Sequence, residues 1–218
     1  SDSYNAVFNT VYADGDQPTP TDLIEDLTNL GVSNLASDAA RAEDQTTLLQ
    51  GALQAVAAAK ADVTNGDGST TTAKEQQADM INSVAKLESF VASVEKVLAR
   101  ANGEQAVDGS GTPIVDGNGD AVRVEVSDSD LTVLGFDDLL QDESANSRLS
   151  ALQKVLLDQS ESTGSDAVVD YADLKAVLET ASTAFDGIVG LTAVAQDTTH
   201  ADDSARATAI ANALAQVD

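Results

Sequence analysis

The sequence has no cysteine, no tryptophan, a single methionine, a single histidine and three prolines among 218 residues. Without cysteine there is no disulfide framework and no thiolate metal site. With aromatics at 3 %, the apolar mass is mostly Ala, Val and Leu. Small side chains let helices approach closely while each buries modest area, which suits a thin helical assembly better than a thick globule. Long apolar runs are also missing, and none approaches the roughly 18 residues needed to span a bilayer. No signal peptide opens the chain, and its first residue is Ser rather than Met, as in a processed product or an excised piece of something longer.

Bases are scarce too. The 37 acidic residues face 11 basic ones, for a net charge of −26, and Asp predominates among the acids. Nucleic acid and anionic lipid both need Lys and Arg to displace counterions, so both are excluded as partners. An Asp-rich surface suits a salty or calcium-rich exterior, where screening relieves self-repulsion.

What the sequence does contain is a repeated motif. Leu27-Thr28-Asn29-Leu30-Gly31-Val32-Ser33-Asn34-Leu35 returns 104 residues later as Leu131-Thr132-Val133-Leu134-Gly135-Phe136-Asp137-Asp138-Leu139, with a weaker echo at Leu191-Thr192-Ala193-Val194. Each copy reads as the last turn of a short helix, a glycine cap and entry into a longer amphipathic helix. Pro18-Thr19-Pro20-Thr21-Asp22 and Ser127-Asp128-Ser129-Asp130 supply helix starts before the first two copies, and Ser37 and Ser144 are placed to start the next helices.

Between these marks the helical period is strong. Ala73, Gln77, Met80, Val84, Leu87, Val91, Val94, Leu98 and Ala101 step by four and three, predicting one helix of about 45 Å, at about 1.5 Å per residue, that ends at Asn102-Gly103. Ile81, Phe90 and Val97 widen the stripe, which favours a bundle over a lone dimeric coil. Tyr171, Leu174, Leu178, Ala181, Phe185 and Ile188 mark another long helix, with a break expected near Gly187 and Gly190. Asn65-Gly66-Asp67-Gly68 and residues 160–165 read as loops. Only residues 104–127 carry a convincing strand signal: Val122, Val124 and Val126 alternate with Arg123 and Glu125 after Asp116-Gly117-Asn118-Gly119-Asp120, the pattern of a β-hairpin.

The expected fold is therefore mainly α, an elongated bundle of tandem helix–Gly–helix–loop–helix units with one β-hairpin insertion. Unit one with its N-terminal short helices covers 1–103, the insertion 104–127, unit two 127–190, and a third, truncated unit begins at 191. Arg41, Arg148 and Arg206 follow the Leu-Thr pairs at similar distances and read as surface partners for neighbouring acids.

Chemistry is sparse. His200 lies in the loop-like Thr198-Thr199-His200-Ala201-Asp202, where a solvated role is expected, and no Gly-rich phosphate loop joins a strand to a helix. An enzyme is not expected. Asp116, Asn118 and Asp120 place oxygens at alternate positions, as the start of a calcium loop does, but Ala121 and Ser127 stand where an EF-hand needs Gly and Glu. The same residues are common hairpin-turn chemistry, so turn and calcium site both stay open. Asp14/Asp16 and Asn65/Asp67 carry weaker versions of that ambiguity, and Tyr4, Phe8 and Tyr12 form a small N-terminal aromatic cluster.

Residues 22–35 and 130–139, with the Ala-rich stretches after each, resemble modules of very large repetitive bacterial surface proteins, the secreted biofilm adhesins that are often calcium-dependent. The resemblance implies an extracellular, non-enzymatic role in attachment or as a spacer, with neighbouring modules of the same polypeptide and a cell-surface or matrix ligand as partners. It carries no ligand-binding residues, and the insertion at 104–127 departs from it. Two other classes fit the same residues: a subunit of a self-assembling, flagellin-like filament or surface layer, and a helical module that binds calcium or a small ligand. An acidic intracellular protein of a halophile also fits and would unfold in low salt, which a secreted mesophilic module need not do. Thermal melts across an ionic-strength series separate the two, and loss of the folded baseline at low salt counts against the secreted reading.

Overall fold

The computed structural model describes residues 2–12, 17–140, 145–163, 168–196 and 203–214. Nine α-helices lie among them: α1 (Asp2–Tyr12), α2 (Pro20–Asn29), α3 (Ala39–Ala58), α4 (Ala73–Met80), α5 (Val84–Ala101), α6 (Asp128–Val133), α7 (Ala145–Thr163), α8 (Tyr171–Gln196) and α9 (Asp203–Leu214). A small antiparallel hairpin, β1 (Val63–Thr64) and β2 (Thr70–Thr71), sits between α3 and α4. The chain is mainly helical, as its periodicity predicts.

Helix starts follow the capping residues. Thr19 caps α2, accepting from the Asp22 amide while the Asp22 carboxylate accepts from the Thr19 backbone, and Pro20 occupies the first turn. Ser127 and Asp130 repeat that reciprocal pair at α6. At α3 the cap is Asp38, one residue beyond the expected Ser37: its carboxylate accepts from the Arg41 amide at 3.1 Å. The two glycines of the repeated motif end their helices identically. Gly31 (φ +90°) donates to Thr28 O and Val32 donates to Leu27 O; Gly135 (φ +86°) donates to Thr132 O and Phe136 to Leu131 O. In each, the leucine at the start of the pair and the apolar residue after glycine are buried together, which completes the cap.

Four long helices form the core. α3 packs on α5, α5 on α7, α7 on α8, and α8 returns to α3, closing a ring. α1 and α2 cover α3, and α9 lies on α8. A single apolar cluster runs from Val7 to Ala181, with Leu23, Leu27, Leu48, Leu53, Leu152 and Leu174 fully enclosed. Close approach replaces bulk where α3 meets α8. A Cβ added at Gly51 would stand 2.5 Å from the Tyr171 Cβ, so only glycine admits the ring there.

Several expectations change. The predicted 73–101 helix is two helices, because Asn82-Ser83 interrupts it. The Ser83 side chain accepts from the Lys86 amide and starts α5 afresh, and Asn82 donates to Asp79 at 2.7 Å. The longer piece, 18 residues, spans about 27 Å rather than 45 Å. α8 runs unbroken through Gly187 and Gly190, and the Leu191–Val194 echo lies within it instead of opening a new unit. Residues 160–163 belong to α7. Arg41 and Arg148 are not surface pairs. Arg41, 14 % exposed, clamps Glu95 of α5 at 3.0 Å and Glu104 at 3.2 Å. Arg148, 6 % exposed, reaches Asp186 of α8 at 2.7 Å and the Ser182 hydroxyl at 2.8 Å, with its guanidinium over the Phe185 ring. The side chain of Arg206 lies outside the described residues, as do Asp14, Asp16, Ser144 and His200.

The insertion at 104–127 is more closed than a hairpin. It pairs through isolated bridges, Gln105 with Arg123, Val107 with Pro113 and Val115 with Ala121. At its centre, Ala106 N–H donates to Val122 O, Val122 N–H to Ile114 O, and Ile114 N–H back to Ala106 O, each within 3.1 Å. Two eight-residue arms, 106–113 and 114–121, and the stem where Gln105 meets Arg123 thus close a ring of hydrogen bonds. Arg100 ties the insertion to the bundle, donating to Val124 O and Gln153 O, and Arg123 donates to Gly103 O.

The two capping glycines differ in one respect that stability measurements expose. Around Gly31 an added Cβ meets open space; at Gly135 it would lie 2.9 Å from Val56 Cγ2. Gly31→Ala should cost about 1 kcal/mol for the left-handed backbone alone, and Gly135→Ala about 2–3 kcal/mol, because Val56 must also give way. Equal losses in urea melts would contradict the seating of Gly135 against α3.

Candidate functional site

Asp116, Asn118 and Asp120, the predicted metal candidates, come together at the tip of the second arm of the insertion. The Asp116 carboxylate turns inward: Oδ1 accepts from the Asn118 amide at 2.8 Å and the Asp120 amide at 3.0 Å. Those backbone donors hold its pKa below the ordinary carboxylate value. Asp108 does the same in the first arm, accepting from the Ser110 hydroxyl and the amides of Ser110 and Thr112, and its pKa is likewise lowered. Asn65-Gly66-Asp67-Gly68-Ser69, the turn between β1 and β2, shares the backbone turn but not the side-chain pattern: Asn65 donates to the Ser69 and Thr71 hydroxyls, and Asp67 accepts from the Ser69 amide and hydroxyl. In all three turns the fourth-position glycine has φ between +82° and +90° and donates to the first residue's carbonyl at about 3 Å. Asp108-Gly109-Ser110-Gly111-Thr112 is not picked out by the strand pattern, although its glycine spacing matches that of 116–120.

The turns at 108–112 and 116–120 therefore have a structural duty, since a carboxylate that accepts two amides is occupied on one oxygen. Among the described residues no group of three or more His, Cys, Asp or Glu side chains is arranged to hold a metal ion.

A larger hollow than these turns enclose lies elsewhere. A cleft of about 770 Å³ opens where the end of α3, the β1–β2 turn, α4, the start of α5 and α6 meet. Its volume is that of a small-molecule site, commonly about 300–1,000 Å³. Val56, Met80, Phe90 and Val133 give it an apolar floor, and Ser69, Thr71, Ser89 and Thr132 rim it with hydroxyls. Its two carboxylates are already engaged. Glu75 caps α4, accepting from the Thr72 amide at 2.8 Å and hydroxyl at 2.9 Å. Asp79 accepts from Lys86 at 2.8 Å. Both titrate below their ordinary values, Glu75 chiefly through the Thr72 amide and Asp79 chiefly through Lys86. Lys60, half-buried on the cleft wall, makes no side-chain hydrogen bond or ion pair among the described residues.

Thr132 and Val133 form one wall, and three ring helices hold their segment, 130–136, in place. Asp130, 6 % exposed, accepts from the Ser93 hydroxyl and from Lys96 at 2.9 Å, both on α5, as well as from Ser127. The Tyr171 hydroxyl of α8 donates to Leu134 O at 2.8 Å while its ring stacks on Phe136, centroids 5.3 Å apart. Burial pushes Tyr171 up to about 12. Near the N-terminus, Tyr4 and Phe8 pack ring against ring at 6.1 Å; the Tyr12 side chain lies outside the described residues.

No family model matches the chain, and no curated protein and no solved structure is significantly similar to it.

Asp130 offers a test of how the wall is held. Burial raises its pKa, but the Ser127 hydroxyl and amide and then Lys96 outweigh that and leave it lowered. A carboxylate depressed in the native state stabilises the fold above its ordinary pKa near 4, and that contribution disappears as pH falls through the native value. Asp130→Ala should cost about 2–3 kcal/mol at neutral pH. The gap to the parent protein should narrow below about pH 4. A gap independent of pH would mean that shape, not charge, does the holding.

Proposed function

We propose that this chain is a non-enzymatic module of a repetitive bacterial surface protein of the secreted adhesin kind, acting in attachment or as a spacer. The observation that carries the reading is that one building plan occurs twice. A reciprocally capped short helix, a glycine cap, a long helix with a polar side chain near its start, a loop and an antiparallel partner appear as α2–α3–α5 and again as α6–α7–α8. The cross-links match as well: Gln45 of α3 donates to Glu95 of α5, and Arg148 of α7 donates to Ser182 of α8. A chain made of such units grows by adding further units, each burying its apolar face on the last.

The strong negative charge and the compact Asp-Gly turns fit an exterior setting, since net charge far from zero keeps modules apart and soluble. Sedimentation velocity over a wide concentration range should show a monomer, and beads coated with the chain should adhere to cells or matrix or hold a tethered ligand at a distance. Growth into filaments would instead favour a self-assembling, flagellin-like subunit.

A second reading, a small-ligand module, is favoured by the cleft that Lys60 lines. Its ligand would carry one anionic group for that ammonium and an apolar body for the floor. The calcium version of this reading predicts a melting temperature that rises in calcium and falls in EDTA. Unchanged melts remove it.

A further inference from the structure

The two halves of the ring correspond residue by residue. α8 repeats α5 at a shift of 87 residues, placing Leu174, Leu178 and Ala181 on Leu87, Val91 and Val94, all buried. α7 repeats α3 at a shift of 103, placing Leu152 and Leu156 on Leu49 and Leu53, again all buried. The two shifts agree with each other, because the Gln45–Glu95 hydrogen bond then falls on Arg148–Ser182.

One difference stands out under that correspondence. On α5, Phe90, Ser93 and Val97 are 7 %, 3 % and 0 % exposed. Their counterparts on α8 are not covered: Thr180 is exposed, and Val177 and Ala184 are half-buried. These three, with Val155, Gln159, Ala176 and Ala181, line a mostly apolar groove of about 400 Å³ between α7 and α8. In the first half the equivalent surface is seated by α6. Asp130 takes the Ser93 hydroxyl, Thr132 and Val133 stand beside Ser89 and Phe90, and Gly135 rests on Val56.

We infer that the α7–α8 groove is a docking seat for a short, glycine-capped helix of the α6 kind, supplied by an adjoining repeat unit. The inference rests on the repeat-module reading above. The seat supplies an apolar floor of Val and Ala side chains, and the Thr180 hydroxyl where Ser93 meets the acid of the incoming helix. It differs at two points. Gln159 stands where Val56 receives Gly135. Lys96, which pairs with Asp130, has Thr183 as its counterpart, and Thr183 donates to Glu179 O. The incoming helix is thus held by apolar burial and a neutral hydrogen bond, without the ion pair.

The absence of cysteine makes the test clean. Thr180→Cys places a single thiol in the groove of the full chain. A second version of this variant carries a copy of residues 126–140 after Asp218 on a flexible Gly-Ser linker, which gives an effective concentration on the order of millimolar. Maleimide labelling should be about tenfold slower in the extended chain, from burial of the thiol. Leu131→Asp and Leu134→Asp in the appended copy alone should restore fast labelling. Equal rates with and without the appended segment overturn the docking seat, as does equal protection by the charged copy. Protection of the unextended chain that grows with its own concentration also overturns it, assigning the groove to a second copy instead. None of these outcomes depends on adhesion or on the sedimentation behaviour, so a failed seat and a failed module reading remain distinguishable.

Discussion

Residues 130–136 are the point on which the bundle depends, because this short stretch touches three of the four ring helices. Asp130 fixes it to α5, Gly135 lies against Val56 of α3, and Leu134 and Phe136 meet Tyr171 at the head of α8. A helix of six residues has almost no stability of its own in water. Its place is set by tertiary contact, and it in turn sets the register between the two helix pairs. Tyr171 is central to this: its hydroxyl holds Leu134, and its Cβ lies where Gly51 leaves room.

Charge is allocated with equal economy. A chain with 37 acids and 11 bases cannot neutralise its surface, and its two clamping arginines are placed between helices instead. Arg41 and Arg148 are each nearly enclosed and each joins a helix start to the later part of its antiparallel partner. Guanidinium suits this duty because its planar fork keeps several donors in fixed directions. Arg100 serves the insertion by bonding two carbonyls and no carboxylate, and burial lowers its pKa without threatening its charge. Breaking such a clamp leaves a carboxylate or carbonyl without its donor, which costs more than the net value of the pair.

The helical class, the capping signals and the two glycine ends could be read from the sequence because each is a local property, fixed by residues three or four apart. What could not be read depends on competition between local signals and distant contacts. The apolar seam from Ala73 to Ala101 keeps its period through Asn82 and Ser83, so the pattern hides the restart that a single serine side chain enforces. Gly187 and Gly190 weaken a helix by about 1 kcal/mol each relative to alanine. α8, which packs against both α7 and α9, nevertheless continues through them. Two-residue strands at 63–64 and 70–71 are too short to show alternation. The cleft was invisible for a different reason: its walls come from α3, α4, α5 and α6, brought together only by the fold. The turn at 116–120 was legible as a turn; that its carboxylate faces its own amides is a matter of geometry.

The closed ring formed by Ala106, Ile114 and Val122 bears on how the molecule behaves in company. A small β-element standing off a helical bundle would ordinarily present a row of open amides and carbonyls, an invitation to strand exchange with a neighbour. Here the two arms and the stem consume one another's central donors and acceptors, and Pro113 has no amide proton to offer. Many such chains can therefore be crowded on one surface with their Val107 and Val115 side chains exposed and still not zip together through their backbones.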